Sequence, residues 1–176
     1  MKTTWKEFIE WAIPNEIERE AFRVFVKNAI TGVCNDKAML LFGSGANGKS
    51  VLANLLCNIV GESGFVDSGW ISRSLPLIEG TRIMFIDDGL NGLVNYDILE
   101  GIIDKSPIYI EGHGEYARVS TDFPSIIIVE NKLPKFDGVL SRSFIINMPN
   151  IPEKPNPQLL SELIEDLDTI KEWFLA

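Results

Sequence analysis

The densest chemistry in the chain lies in eight consecutive residues, Gly43-Ser44-Gly45-Ala46-Asn47-Gly48-Lys49-Ser50. They fit the spacing G-x-x-x-x-G-K-S, in which glycines let successive backbone N–H groups curl round a phosphate with no Cβ in the way. Lys49 would then reach the β- and γ-phosphates, and the Ser50 hydroxyl would ligate Mg²⁺. A second group is Asp87-Asp88, directly after the apolar run Arg82–Ile86. Beside a phosphate loop, the first carboxylate would hold Mg²⁺ through water and the second would orient or deprotonate the attacking water. The alternative for Asp-Asp-Gly is a plain turn. The only histidine, His113, lies between two glycines and is either a solvated loop residue or a ligand contact.

These residues need a scaffold, and the flanking sequence supplies one. Ala38–Phe42 is an apolar run that reads as a buried strand, and Val51–Val60 reads as a buried helix whose positive end would face the same anion. Further apolar strands are expected at Arg82–Ile86, Ser125–Val129 and Ser143–Met148, with a short one at Phe65–Val66. Trp70, Ile71, Leu75, Leu77 and Ile78 suggest one brief helix or an extended piece. Tyr96–Ile103 reads as a helix, and Ile108–Glu111 with Tyr116–Val119 reads as a β-hairpin around Gly112-His113-Gly114. Strands that are apolar throughout, alternating with helices, predict a parallel sheet covered on both faces, with the hairpin inserted into it.

The ends are helical. Trp5, Phe8, Ile9 and Ala12 form one stripe behind a Thr cap. A second helix is expected to open at Pro14, to bury Ile17, Ala21, Phe22, Val24, Phe25, Ala29 and Ile30, and to stop at Gly32. Four prolines at 149, 152, 155 and 157 predict a stiff linker, and Leu159–Leu175 predicts one amphipathic helix with an acidic outer face. The expected organisation is a helical cap over 1–37, a P-loop ATPase core over 38–148, a Pro-rich linker over 149–157 and an acidic helix over 158–176, all in one compact unit.

Composition narrows the partners. The 176 residues carry a net charge of −9, yet residues 1–37 hold six basic and six acidic groups. The whole acidic excess therefore sits in the remainder. Such a surface repels a phosphate backbone over most of its area, so nucleic acid would have to be met at a local site such as a channel lining. No apolar run approaches the roughly 18 residues of a membrane span. No secretory leader is expected, and Cys57 reads as a small core residue in what is expected to be a reducing cytoplasm.

Taken together, GSGANGKS, RIMFIDD, IIDKSPIYIEGHGEYARV, SIIIVEN-KLP and SRSFIINMP resemble, in order and spacing, the superfamily 3 helicases of the AAA+ class. The closest type is the ATPase domain of phage, plasmid and poxvirus primase-helicases, matched from about Trp5 to Met148. The resemblance implies an AAA+-like P-loop fold and contacts from Lys49 and Ser50 to phosphate and Mg²⁺. It implies Asp87 as the metal carboxylate, Asp88 as the water-activating one and Asn131 as the sensor of the γ-phosphate. Arg142 would be the arginine finger given to the neighbouring subunit's ATP, with Arg118 the fallback, because the family's usual arginine pair is here Ser141-Arg142-Ser143. The family's pore hairpin falls on Ile108–Val119, which implies DNA contacts from His113, Arg118 and the nearby Lys105. The usual Gly-Asp ahead of that hairpin is Lys105-Ser106 in this chain.

The implied function is an ATP-driven, six-membered homo-oligomeric ring acting on single-stranded DNA in phage or mobile-element replication, either recruited by another replication protein or working as a bare motor. The competing expectation is an AAA+ assembly or remodelling factor that never unwinds DNA. A nucleoside kinase shares the phosphate loop, but six arginines in the whole chain give it no arginine-rich lid.

Overall fold

The structure is a computed structural model of the chain. It describes residues 3–33, 35–45, 47–61, 63–66, 81–87, 95–110, 118–149 and 156–176. Chain order is α1 (Trp5–Ala12), α2 (Glu16–Thr31), β1 (Ala38–Phe42), α3 (Lys49–Val60), β2 (Ser63–Val66), β3 (Ile83–Asp87), α4 (Tyr96–Ile103), β4 (Ile108–Ile110), β5 (Arg118–Ser120), β6 (Ser125–Glu130), α5 (Asp137–Ser141), β7 (Ser143–Asn147), α6 (Leu159–Ile164) and α7 (Leu167–Leu175).

Five strands form one parallel sheet in the order β2-β3-β6-β1-β7. The expected α/β P-loop architecture is therefore present, and the short strand at Phe65–Val66 extends back to Ser63. Strand β1 lies between β6 and β7, so the chain leaves it in one direction and later crosses back past it. Ligands of open α/β sheets gather at the carboxyl ends of strands at such a reversal. The hairpin is also present, with Ile108 opposite Ser120 and Ile110 opposite Arg118. Its tip, with His113, lies outside the described residues, as do Ala46, Asp88 and the Trp70–Ile78 stretch.

Alternation along each strand divides the core. Met39, Leu41, Ile83, Phe85, Ile127, Val129 and Ile146 face α1, α2, α3, α6 and α7. Ala38, Leu40, Met84, Ile86, Ile126 and Ile128 face α4 and α5. Both faces are covered, which is why the strands read as unbroken apolar runs.

Three expectations at the ends are corrected. Asn15, not Pro14, starts α2, because its Oδ1 accepts from the N–H groups of Ile17 and Glu18 at 2.9 and 3.2 Å. Ile17 and Val24 are exposed, since the buried stripe of α2 runs through Phe22, Phe25, Val26, Ala29 and Ile30. The C-terminal helix is two helices that break at Glu165-Asp166 and turn α7 back onto the N-terminal end of the chain. There Trp5 packs edge-on to Trp173 at 5.4 Å and against Phe174 at 5.6 Å, while Phe22 meets Phe174 at 5.9 Å. Helix α1 is fastened by a capping box in which Thr4 and Glu7 exchange hydrogen bonds. Among the described residues no helix is long and apolar enough to cross a membrane.

Candidate phosphate site and the opposite end of the sheet

Backbone pairing builds the site at the carboxyl end. Phe42 is level with Glu130 on one side and Asn147 on the other. The Gly43 N–H donates to the Glu130 carbonyl at 3.1 Å, and the Met148 N–H donates to the Phe42 carbonyl at 2.8 Å. The loop thus leaves the sheet between the ends of β6 and β7. A Cβ at Gly43 would run into the Met148 carbonyl and the Asn47 amide, so only glycine fits there. Gly48 is left-handed at φ 84°, and a Cβ on it would come within 2.9 Å of the Phe8 ring. Helix α1 therefore supports the loop from below.

The loop's polar groups are paired inside. Lys49 is 6% exposed and Asn47 2%. The Lys49 ammonium donates to the Gly43 carbonyl at 2.5 Å and to Asn47 Oδ1 at 2.8 Å. Asn47 Nδ2 in turn donates to the Met148 carbonyl at 2.9 Å. Both of these acceptors of the Lys49 ammonium are neutral carbonyl oxygens, one from the backbone and one from an amide. Ser50 follows on the exposed side of the first turn of α3.

Asp87 ends β3 level with Val129, and Leu41 is level with Val129 from the other side. Asp87 alternates with Ile83 and Phe85, so it shares the sheet face on which α3 packs. Asn131 directly follows Glu130, whose partner Phe42 precedes the loop. The register therefore brings Lys49, Ser50, Asp87 and Asn131 to one end of the sheet. Among the described residues no group of three or more His, Cys, Asp or Glu could hold a metal. Mg²⁺ asks for less, because it keeps several waters and takes one or two protein oxygens beside phosphates. The exposed Ser50 hydroxyl and Asp87 carboxylate fit that donor set.

One feature at this end escaped the sequence reading. Glu130 is a carboxylate only 1% exposed, and Tyr96 lies near it, stacked on Phe136 at 3.8 Å. Burial pushes the Tyr96 hydroxyl above its ordinary value, and the Glu130 charge adds to the effect. The only sequence signal was a charged residue closing an otherwise apolar strand.

Arg142 lies at the other end. It precedes Ser143, which pairs with Ala38 at the start of β1, and its carbonyl accepts from the Ala38 N–H at 2.9 Å. The five residues of β1 separate it from the loop, roughly 16 Å at about 3.3 Å per residue. Its Nε donates to both oxygens of Asp104 at 2.9 Å, and Nη1 meets the Gly138 carbonyl at 3.0 Å and Glu100 at 3.2 Å. The Asp104 carboxylate, then the Coulomb field of Asp104 and Glu100, hold the guanidinium firmly charged. Lys105 is also here. Its backbone is left-handed at φ 55°, and its ammonium donates to the carbonyls of Phe123 and Pro124 at 3.2 and 2.9 Å. That bond closes the base of the hairpin. Arg118 is exposed at the start of β5.

No protein-family model matches the chain, and no curated protein matches it. Solved structures do. An apo form of the NrS-1 C-terminal region superposes with a TM-score of 0.82 at 15% identity, covering 97% of this chain and 44% of that one. A second apo structure of that region gives 0.78 at 15% identity, with coverages of 97% and 45%. A crystal structure of the JCV helicase with a substituted acetamide gives 0.62 at 18% identity, with coverages of 96% and 49%. The chain spans less than half the length of these solved chains. At 15–18% identity these are likenesses of fold.

Proposed function

We propose that this chain is an ATP-hydrolysing motor unit of the superfamily 3 helicase kind, working as a closed ring on single-stranded DNA. The observation that supports it best is the separation of two halves of one site. A buried lysine, an exposed serine and an exposed aspartate stand at the carboxyl end of the sheet, and a charged arginine stands at the amino end. One protomer cannot bring them together. A head-to-tail neighbour can, and a head-to-tail contact that closes makes a ring.

In this reading Lys49 and the loop N–H groups hold the β- and γ-phosphates, and Asn131 faces the γ-phosphate as donor and acceptor. Asp88 orients the attacking water. Arg142 of the neighbour meets the charge that develops on the phosphoryl oxygens. Ser50 and Asp87 would hold Mg²⁺, which would supply positive charge against the charge developing in the transfer. His113 and Arg118 provide the DNA contact, with Lys105 holding the hairpin that carries them.

The test is steady-state ATP hydrolysis by Lys49→Ala and Arg142→Ala. The first is expected to abolish turnover. The second is expected to lower kcat by about 10³-fold or more while ATP still binds, and to poison mixed rings. Wild-type turnover in Lys49→Ala would end the proposal. The charge of −9 favours a second reading, an ATP-dependent remodelling factor without unwinding activity. Titration of single-stranded DNA against salt separates the two, because the motor needs ATP-dependent affinity that falls with salt.

A further inference from the structure

Resting on that reading of Arg142, we propose that Asp104, seconded by Glu100, is a positioning residue that sets the guanidinium so that one edge points to the neighbouring protomer's ATP. Three observations carry it. Asp104 takes Nε with both carboxylate oxygens at 2.9 Å, and Glu100 with the Gly138 carbonyl takes Nη1 at 3.2 and 3.0 Å. Among the described residues no partner takes Nη2, so the guanidinium is clamped on two nitrogens and open on the third. The Arg142 side chain is 34% exposed, which leaves that third nitrogen reachable from outside.

The clamp is itself anchored. Glu100 and Asp104 lie one turn apart, at the end of α4. Just beyond them the N–H of Ser106 donates to the Gly101 carbonyl at 2.9 Å, and that of Lys105 to Ile102 at 3.2 Å. This double closure is the usual helix stop with a left-handed residue after the cap, here filled by lysine instead of glycine. The Lys105 ammonium then ties the same turn to Phe123 and Pro124. A long flexible arginine is thereby held in one geometry before the neighbour arrives. Preorganised donors act without reorganising at the moment of reaction, and small misplacements are expensive.

The same turn leads into β4 after a few residues, so the clamp also joins the arginine to the hairpin base. Asp104 therefore affects kcat through Arg142 and leaves ATP binding alone.

The experiment measures ATP hydrolysis by the 176-residue chain, with Asp104→Ala, Asp104→Asn, Asp104→Glu and Arg142→Ala, alone and as double variants. Asp104→Ala is expected to lower kcat on the order of tenfold with unchanged KM for ATP. Asp104→Asn keeps an acceptor for Nε and is expected to recover part of that loss, and Asp104→Glu more. In the Arg142→Ala background, removing Asp104 should change nothing further, which a merely structural role would not predict. Wild-type kcat in both Asp104→Ala and Asp104→Asn, beside a collapsed Arg142→Ala, overturns the positioning role. So does an equal further loss in the double variant. Wild-type turnover in Arg142→Ala instead overturns the assignment of the finger itself. If Asp104→Ala does not fold, the comparison of Asp104→Asn with Asp104→Glu carries the same decision.

Discussion

Asn47 and Met148, 101 residues apart in the chain, are joined by a hydrogen bond of 2.9 Å from the Asn47 amide to the Met148 carbonyl. The same side chain accepts from the Lys49 ammonium at 2.8 Å. A single amide thus fastens the phosphate loop to the end of the edge strand and holds the loop's cation. No other side chain of the same size has a donor and an acceptor on one carbon.

Asn47→Ala leaves the buried Met148 carbonyl without that donor, which should destabilise the fold by about 1–3 kcal/mol. Asp at this position keeps the acceptor for Lys49 but sets an anion against the Met148 carbonyl. Asn47→Asp should therefore lower ATP affinity more than it lowers the melting temperature. Equal, small effects of both variants in a thermal melt and a nucleotide titration would contradict this.

Two loop glycines should respond differently to alanine. At Gly43 the new methyl group meets the Met148 carbonyl and the Asn47 amide, so Gly43→Ala should lower the melting temperature by several degrees and weaken nucleotide binding. At Gly45 nothing lies within 4 Å, and Gly45→Ala should melt like the parent protein. Thermal denaturation of the pair gives the answer, and a reversed order would refute the packing described.

The seam between the first and last helices should be a major source of stability. Phe174 is fully buried against Trp5, Trp173 and Phe22, and truncation of such a side chain to alanine costs about 3–5 kcal/mol. Trp5 Nε1 is buried with no hydrogen-bond partner among the described residues. Trp5→Phe, which deletes that donor, should consequently be far milder than Trp5→Ala in urea unfolding. Similar losses for the two would argue against an unpaired indole.

Acid should loosen α1. The hydrogen bonds from the Thr4 backbone and hydroxyl hold the Glu7 carboxyl below its ordinary value of 4.5. A group depressed by folding contributes above its unfolded value, and the contribution fades as pH falls through the folded one. Melting temperatures of the protein and of Glu7→Gln should therefore differ at neutral pH and converge as pH falls below the ordinary carboxyl value through the depressed one. A gap that widens on acidification would reverse the assignment.

The sheet and its loop were legible because each strand is apolar on both faces and the glycine pattern has one structural solution. The Arg142 and Asp104 pair was not, since the partners stand 38 residues apart on different elements. The last helix was misread for a local reason. Leu160, Leu163, Ile164, Leu167, Ile170 and Phe174 keep one continuous stripe across Glu165-Asp166, and periodicity cannot see a bend that preserves it. Ile17 and Val24 lie beside the apolar stripe expected for α2, and the buried stripe is narrower than that expectation and passes beside them. Helix α5 was overlooked because Asp137–Ser141 is five residues long and holds a glycine.

Strand β7 is gripped at both tips, by Arg142 on the acidic turn and by Met148 under the loop, with Ser143 and Ile146 facing inward between them. It is a gauge of fixed length. Adding or deleting one residue would exchange the faces that Ser143 and Ile146 occupy and unhook one tip or the other. Length changes in a loop leave both tips in place, whereas a change along these few residues cannot.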